Sequence, residues 1–296
     1  MSPAKLINGT AIAEQIREAL KPRLEALRMQ GIIPGLAVVL VGDDPSSQVY
    51  VGMKTKAFAA LNLVSETFHL PAQTDQTTIL QLIRDLNSDP RFHGILVQLP
   101  LPRHLDSSTI IESINPAKDA DGLHPTNLGR LMIGGECPLP CTPHGILKLL
   151  QYSGIETAGR NVVILGRSNI VGKPIANLLF QKRALGNATV TICHTHTRNL
   201  PEITRQADIL IAAMGKAEFV TRDFVKPGVV VIDVGVNRVE DSTARKGYRL
   251  VGDVKFDEVA EVAAAITPVP GGVGPMTIAM LIANTVLLAE KSIIKN

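Results

Sequence analysis

Four side chains stand out as able to do chemistry: Tyr50, Lys54, Gln98 and Asp121. Tyr50 and Lys54 fall in SSQVYVGMKTKAF (Ser46–Phe58), behind an apolar run, GLAVVLVG (Gly35–Gly42), and a turn cluster, DDPSS (Asp43–Ser47). Asp, Pro and Ser favour turns and helix starts, so the order reads strand, turn, helix. Four residues apart on a helix, the tyrosine and the lysine share a face. Val49, Met53, Ala57 and Ala60 make the neighbouring apolar stripe, which puts Lys54 at the edge of a buried face. The helix follows the carboxyl end of a strand, where open α/β sheets bind ligands. Lys54 is therefore either part of a ligand site or a surface amine snorkelling beside a core tyrosine. Gln98 closes an apolar strand, GILVQL (Gly94–Leu99), before Leu99-Pro100-Leu101-Pro102 leaves the sheet in an extended path. Its amide needs partners, either in that Pro-rich turn or in a pocket shared with Lys54. Asp119 and Asp121 lie in KDADG (Lys118–Gly122), as solvated loop residues or as a ligand-binding carboxylate pair. The spacing argues against a calcium loop, since further oxygen ligands do not follow at regular intervals.

A second group of residues suits an anion. NVVILG (Asn161–Gly166) runs into GRSNIVGKP (Gly166–Pro174) and then a helix with Ile175, Leu178 and Leu179 inward. Strand, Gly-rich turn and helix is the dinucleotide-binding layout, although Ser168 stands at the second glycine and the next glycine is Gly172. An ordinary α/β turn could have the same glycine content. The next strand, Ala188–Cys193, ends in CHTHTR (Cys193–Arg198). Where NAD-binding folds place an acid for the ribose hydroxyl, Thr195, His196 and Arg198 stand, with Arg167 in the turn before. Hydroxyl and cationic groups accept a 2′-phosphate, which argues for NADP. A zinc site at Cys193, His194 and His196 competes poorly, because strand neighbours face opposite sides and a fourth ligand is missing.

The elements that position these groups alternate. A helix follows Asn8-Gly9-Thr10, with Ile12, Ile16, Leu20, Leu24 and Leu27 on one side and Gly31 ending it. Strands are expected at Leu36–Val41, Val64–Leu70, Gly94–Leu99, Asn161–Gly166, Ala188–Cys193, Asp208–Ala212, Val229–Val234 and Arg249–Gly252. Helices are expected at Thr77–Leu86, Ser107–Ile114, Pro143–Tyr152 and, with Pro275 at its first position, Met276–Leu288. Leu123–Cys141 reads as irregular and ends the first domain. Such alternation implies parallel sheets with βαβ crossovers. The 296 residues suffice for two domains, and 3% aromatics without Trp require cores of Val, Ile, Leu and Ala. A net charge of +3 without a basic block gives no sign of nucleic acid. The N-terminus lacks a signal-peptide core, and no apolar run is read as reaching the roughly 20 residues of a membrane span. Three cysteines, an odd number without a disulfide framework, suit a reducing, cytoplasmic setting.

Taken in order, VGDDPSSQVYVGMKTKAF, GILVQLPLP, KDADG, PCTPHG, GRSNIVGKP, VIDVG, GDV and ITPVPGGVGPMT resemble one family nearly end to end. It is that of the bifunctional methylenetetrahydrofolate dehydrogenase/methenyltetrahydrofolate cyclohydrolases. The resemblance implies an α/β catalytic domain over residues 1–141, joined by a returning last helix, 275–296. It implies a Rossmann-like NADP domain over 142–274, with folate in the cleft between the two. By motif, Lys54 is the catalytic lysine, Gln98 its glutamine partner, Tyr50 the ring that packs on folate, and Asp121 the carboxylate that holds the pterin. Pro270, Gly271 and Gly274 lie in the loop beside folate and nicotinamide. Gly166, Arg167, Ser168, Ile170, Gly172, Thr195, Arg198 and Val236 are the implied cofactor contacts, and Thr195 departs from a common Ser with its hydroxyl kept. The implied activity is oxidation of 5,10-methylenetetrahydrofolate with NADP, then hydrolysis to 10-formyltetrahydrofolate, in one-carbon metabolism serving purine biosynthesis. A homodimer, tetrahydrofolate substrates with or without polyglutamate tails, no metal, no nucleic acid and no membrane complete the expectation. The alternatives are another two-domain NADP dehydrogenase, of the shikimate or amino-acid type, and a folate- or nucleotide-binding protein without catalysis.

Overall fold

A computed structural model describes residues 4–244 and 247–293, so the ends of the expected domain ranges, 1–3 and 294–296, lie outside the described residues. The chain runs β1 (Lys5–Leu6), α1 (Gly9–Met29), β2 (Gly35–Val41), α2 (Pro45–Ala59), β3 (Val64–Leu70), α3 (Gln76–Ser88) and β4 (Gly94–Val97). It continues through α4 (Ser107–Glu112), α5 (Pro125–Met132), α6 (Cys141–Tyr152), β5 (Asn161–Leu165), α7 (Gly172–Phe180), β6 (Thr189–Cys193) and α8 (Leu200–Thr204). It closes with β7 (Ile209–Ala212), β8 (Val230–Asp233), β9 (Asn237–Glu240), β10 (Tyr248–Val251), α9 (Phe256–Ala260), β11 (Ala265–Ile266) and α10 (Val273–Ile293).

The chain divides into two compact units. The first holds Gln15–Cys141 and the chain from Ile278 on; the second holds the residues up to Glu14 and Thr142–Thr277. Of the three division points, one lies at the start of α6 and two fall inside the long helices α1 and α10, so the last helix begins in the second unit and ends in the first. The N-terminal stretch was expected in the first domain. It belongs to the second because β1 pairs in parallel with β11. A two-residue strand has no sequence period by which to recognise it.

In the first unit three parallel strands run in the order β3-β2-β4. β2 is central and buried along its whole length, which explains its unbroken apolar run. Ile79, Ile83 and Leu86 of α3 pack with Phe92, Ile95 and Ile110 in one core cluster. The second unit has a six-stranded parallel sheet, β1-β11-β8-β7-β5-β6. Its order reverses at β5, with β6 on one side and β7 and β8 on the other.

Four expectations change. On α2 the buried residues are Ser47, Val51, Lys54 and Phe58, while Val49 is 60% and Met53 44% exposed. Apolar residues are spread around this helix, so periodicity could not choose its face. The stretch expected to be irregular contains α5, with Pro125 in the first turn and His124 Nδ1 accepting from Thr126 N at 3.0 Å. The Arg249–Gly252 region is no parallel strand: β10 pairs antiparallel with β9 in a separate hairpin. Finally, α10 is long and apolar enough by composition to span a membrane, with mean hydropathy 1.5, and Pro275 is its third residue. Within the protein 67% of that apolar window is buried, as a core helix requires.

Candidate active site

Lys54 is set by the start of α2, where the Asp44 carboxylate accepts a hydrogen bond from Ser47 N at 2.7 Å. Its side chain lies in the middle of the buried face and is 7% exposed. Lys54 Nζ donates to Gln98 Oε1 at 2.9 Å, and Gln98 Nε2 donates to Leu99 O at 2.7 Å. The second bond decides which end of the amide faces the lysine. Gln98 thus serves both the Pro-rich turn and Lys54. Burial lowers the affinity of Lys54 for its proton, and the nearby Asp121 charge works against that. Tyr50, one turn earlier, is half-buried, and burial raises its phenol.

Asp121 reaches this place through the sheet. Residues 118–120 run beside β4, with Ile95 N donating to Lys118 O at 2.7 Å and Ala120 N to Ile95 O at 3.3 Å. The turn that follows is held by Asp119, not Asp121. Asp119 accepts from Gly122 N (3.0 Å), Leu123 N (3.2 Å), His124 N (2.9 Å) and Asn127 Nδ2 (2.8 Å). The two acids of the turn are therefore not a ligand pair; one is a brace. Burial raises the Asp121 carboxyl above its ordinary range, Lys54 lowers it, and Asp119 adds to the rise. The Cys141 thiol, buried against Asp121, is pushed far above the ordinary thiol range by burial and that carboxylate. Lys54, Asp121 and Cys141 are thus electrostatically coupled, and an amine that releases its proton readily sits beside a carboxyl group.

In the second unit, β5 and β6 end level with one another, Leu165 paired with Cys193, and Gly166 N donates to Cys193 O at 2.9 Å. This places the GRSNIVGKP turn and the CHTHTR turn on neighbouring strand ends, at the reversal of strand order. Gly166 has φ +123°, and a Cβ there would stand 2.2 Å from Ala213 O. A Cβ on Gly172 would stand 2.2 Å from Gly166 O. Only glycine fits either position, so main chain lies against main chain at both ends of the turn ahead of α7. Ser168 Oγ accepts from Val171 N (3.1 Å) and Gly172 N (3.3 Å), which leaves its O–H free to donate. Arg167, Ile170, Thr195 and Arg198 are exposed, and neither guanidinium is engaged by another of the described residues. Val236, also exposed, follows β8. Pro270, Gly271 and Gly274 lie in the loop before and into α10, where Gly271 O accepts from Thr10 N at 3.1 Å. Among the described residues no three His, Cys, Asp or Glu side chains gather as metal ligands would.

Residues 7–121 match the catalytic domain of tetrahydrofolate dehydrogenase/cyclohydrolase, and residues 140–293 match its NAD(P)-binding domain. The chain belongs to the tetrahydrofolate dehydrogenase/cyclohydrolase family. It is 55% identical over 283 residues to the bifunctional protein FolD of Prosthecochloris aestuarii, covering 95% of this chain and 96% of that one. Among solved structures, the bifunctional FolD enzyme of Campylobacter jejuni is 48% identical with a TM-score of 0.91, covering 98% of this chain and 99% of that one. The Trypanosoma brucei methylenetetrahydrofolate dehydrogenase-cyclohydrolase, solved with NADP and an inhibitor, is 41% identical with a TM-score of 0.93, covering 99% of both.

The sequence reading of this family member missed two carboxylates at the strand ends of the second unit. Asp253 accepts from Met214 N (2.6 Å), Gly215 N (2.9 Å), Lys216 N (2.9 Å) and Asn237 Nδ2 (2.9 Å). Asp233 accepts from Gly235 N (3.0 Å), Asp253 N (2.9 Å) and Val254 N (2.9 Å). Between them they shape the loops after β7 and β8. Their signal was present in VIDVG and GDV, as acids directly beside glycines at strand ends. Burial and the neighbouring Asp253 raise the Asp233 carboxyl to about 7, outweighing its three amide donors. The folded protein then holds this proton more tightly than the unfolded chain, whose ordinary value is 3.8. Stability from this group is full below 3.8 and is lost as pH rises to about 7. We expect the urea midpoint to fall between about pH 4 and about pH 7, and Asp233→Asn to remove that fall; an unchanged slope in the variant would refute the assignment.

Proposed function

We infer that this chain oxidises 5,10-methylenetetrahydrofolate to 5,10-methenyltetrahydrofolate with NADP and hydrolyses the product to 10-formyltetrahydrofolate. The observation that carries this reading is the buried Lys54–Gln98 pair beside Asp121 in a member of this family. The second unit fits NADP. Its glycine-ended turn before α7 suits a pyrophosphate, and Arg167, Thr195 and Arg198 offer a 2′-phosphate two free cations and a hydroxyl. When bound, NADP supplies the hydride acceptor. In the oxidation the folate nitrogen lone pairs stabilise the developing cation, so the protein's task is positioning rather than proton removal. Tyr50 supplies a flat face for the folate aryl ring, and Asp121 accepts hydrogen bonds from the N–H edge of the pterin.

Ring opening asks more. Water adds to the methenyl carbon and must lose a proton, while the departing ring nitrogen must gain one. Lys54 is assigned this transfer: burial makes its amine a weaker base than usual, and Gln98 holds the nitrogen in one place. Lys54→Ala should lower cyclohydrolase turnover about 100-fold or more while leaving NADP affinity unchanged; normal ring opening would remove Lys54 from the mechanism. Arg167→Ala should raise KM for NADP about tenfold, the worth of one charge-assisted hydrogen bond, and leave KM for NAD alone; equal effects would exclude a 2′-phosphate contact.

We also propose a homodimer. Among the described residues β6 has one strand neighbour, β5, and its far edge is open, with Ile192 40% and Phe180 48% exposed nearby in sequence. An open edge with apolar side chains is a template for a second strand. Sedimentation should give twice the chain mass of 31.7 kDa, and Ile192→Lys should reduce it to the monomer value; a monomeric parent protein would end this proposal.

A further inference from the structure

Asn284 lies in the interior of α10, 3% exposed, on a helix face otherwise lined by Leu281, Thr285 and Leu288. A polar side chain at that depth is tolerated only with partners. Its Nδ2 lies 2.9 Å from Ala120 O, 2.8 Å from Leu139 O and 3.5 Å from Cys141 Sγ. The two carbonyls belong to different segments: the turn that carries Asp121 and the run that enters α6. These segments meet main chain to main chain. Cys141 N donates to Asp121 O at 3.2 Å, and a Cβ on Gly122 would stand 2.5 Å from the Leu139 carbonyl carbon. One amide group therefore ties together the residue before Asp121 and the strand of chain that Asp121 leans on. Asp119 braces the turn from its other side through the amides of residues 122–124.

We propose that Asn284 is a positioning residue for folate recognition, acting through Ala120 and Leu139 to hold the Asp121 carboxylate where it meets the pterin edge. The inference rests on the role given to Asp121 above. The amide suits the task because it donates two hydrogens and brings no charge beside Lys54, Asp121 and Cys141. A buried carboxylate or ammonium at this position would alter all three. Asn284 touches no reacting atom, so its removal should loosen substrate recognition more than chemistry.

The test is steady-state kinetics on the full-length protein with Asn284→Leu, Asn284→Ser, Asp121→Asn and the double variant Asn284→Leu/Asp121→Asn. Asn284→Leu should raise KM for 5,10-methylenetetrahydrofolate about tenfold, change kcat by no more than about twofold, and leave the Kd for NADP unchanged. Asn284→Ser keeps one donor and should give a rise of about threefold, which decides the matter if the leucine variant does not fold. Asp121→Asn should raise the same KM, and the double variant should be no worse than Asp121→Asn alone. Unchanged KM in the Asn284 variants, multiplied effects in the double variant, or equal losses in KM, kcat and NADP binding would each overturn the proposal. If Asp121→Asn itself leaves KM unchanged, the role of Asp121 is wrong and the proposal falls with it, a result distinct from failure at Asn284 alone.

Discussion

Keeping one lysine amine out of water sets the terms for the first unit. An ammonium group deprived of solvent costs several kcal/mol unless something nearby repays it. Here the repayment is partial: a neutral amide oxygen at 2.9 Å and a half-buried carboxylate whose own pKa desolvation raises. The proton on Lys54 is therefore held loosely, the state that its proposed role in ring opening requires. Looseness is useful only while the nitrogen stays in place. A lysine has enough rotamers to escape to water and recover its ordinary basicity. Three features prevent this: α2 buries its stem between Val51 and Phe58, Leu99 O locks the Gln98 amide, and the sheet-paired segment 118–120 fixes the approach of Asp121.

Both units solve the same geometric problem. Parallel strands end together at one edge of a sheet, and the chain must leave that edge in loops whose amides have lost their strand partners. In the first unit Gln98 and the Asp121 turn leave adjacent to β4. In the second the GRSNIVGKP turn, the CHTHTR turn and the loops after β7 and β8 all leave at such an edge. Buried aspartates collect the loop amides and so convert irregular backbone into fixed backbone. Glycine is required where two such loops touch: a Cβ on Gly252 would stand 1.7 Å from Asp233 Oδ2, and one on Gly235 would stand 2.1 Å from Asp253 Oδ1. The acids and glycines of VIDVG and GDV are thus one packing unit spread over two motifs.

What could be read in the chain before folding follows from the range of each signal. β2, β4, β5, β7 and β8 were legible because strands buried on both faces are short apolar runs bounded by turns. The ordered motifs named Lys54, Gln98 and Asp121, and the fold brings these together with Cys141. The buried face of α2 was not legible, because Val49 and Met53 are as apolar as Val51 and Phe58 and only contact with the sheet chooses between them. The assignment of β1 to the second unit rests on pairing with a strand some 260 positions away, which two residues cannot announce. Asn284 was invisible for a similar reason. In LIANTVLL it is, with Thr285, one of two polar residues in an apolar stretch, and its importance comes from two carbonyls contributed by other segments.

Asp119 and Asp121 show how such a gap is closed. They have the same side chain, lie in one turn and are two residues apart, so nothing local separates a structural acid from a functional one. A carboxylate offers about four lone-pair sites. Asp119 fills them with three backbone amides and an asparagine, and Asp253 in the other unit does the same with its own three amides and asparagine. Neither has capacity left for a ligand. Asp121 accepts no amide from the described residues, although it is desolvated enough for its carboxyl to be raised. Within the fold the Cys141 thiol is its hydrogen-bond partner, so the remaining lone pairs of Asp121 are open to donors from outside the chain. In the proposed role of Asp121 the pterin N–H edge would supply those donors, and the inventory of hydrogen bonds, more than the residue type, is what separates Asp121 from Asp119.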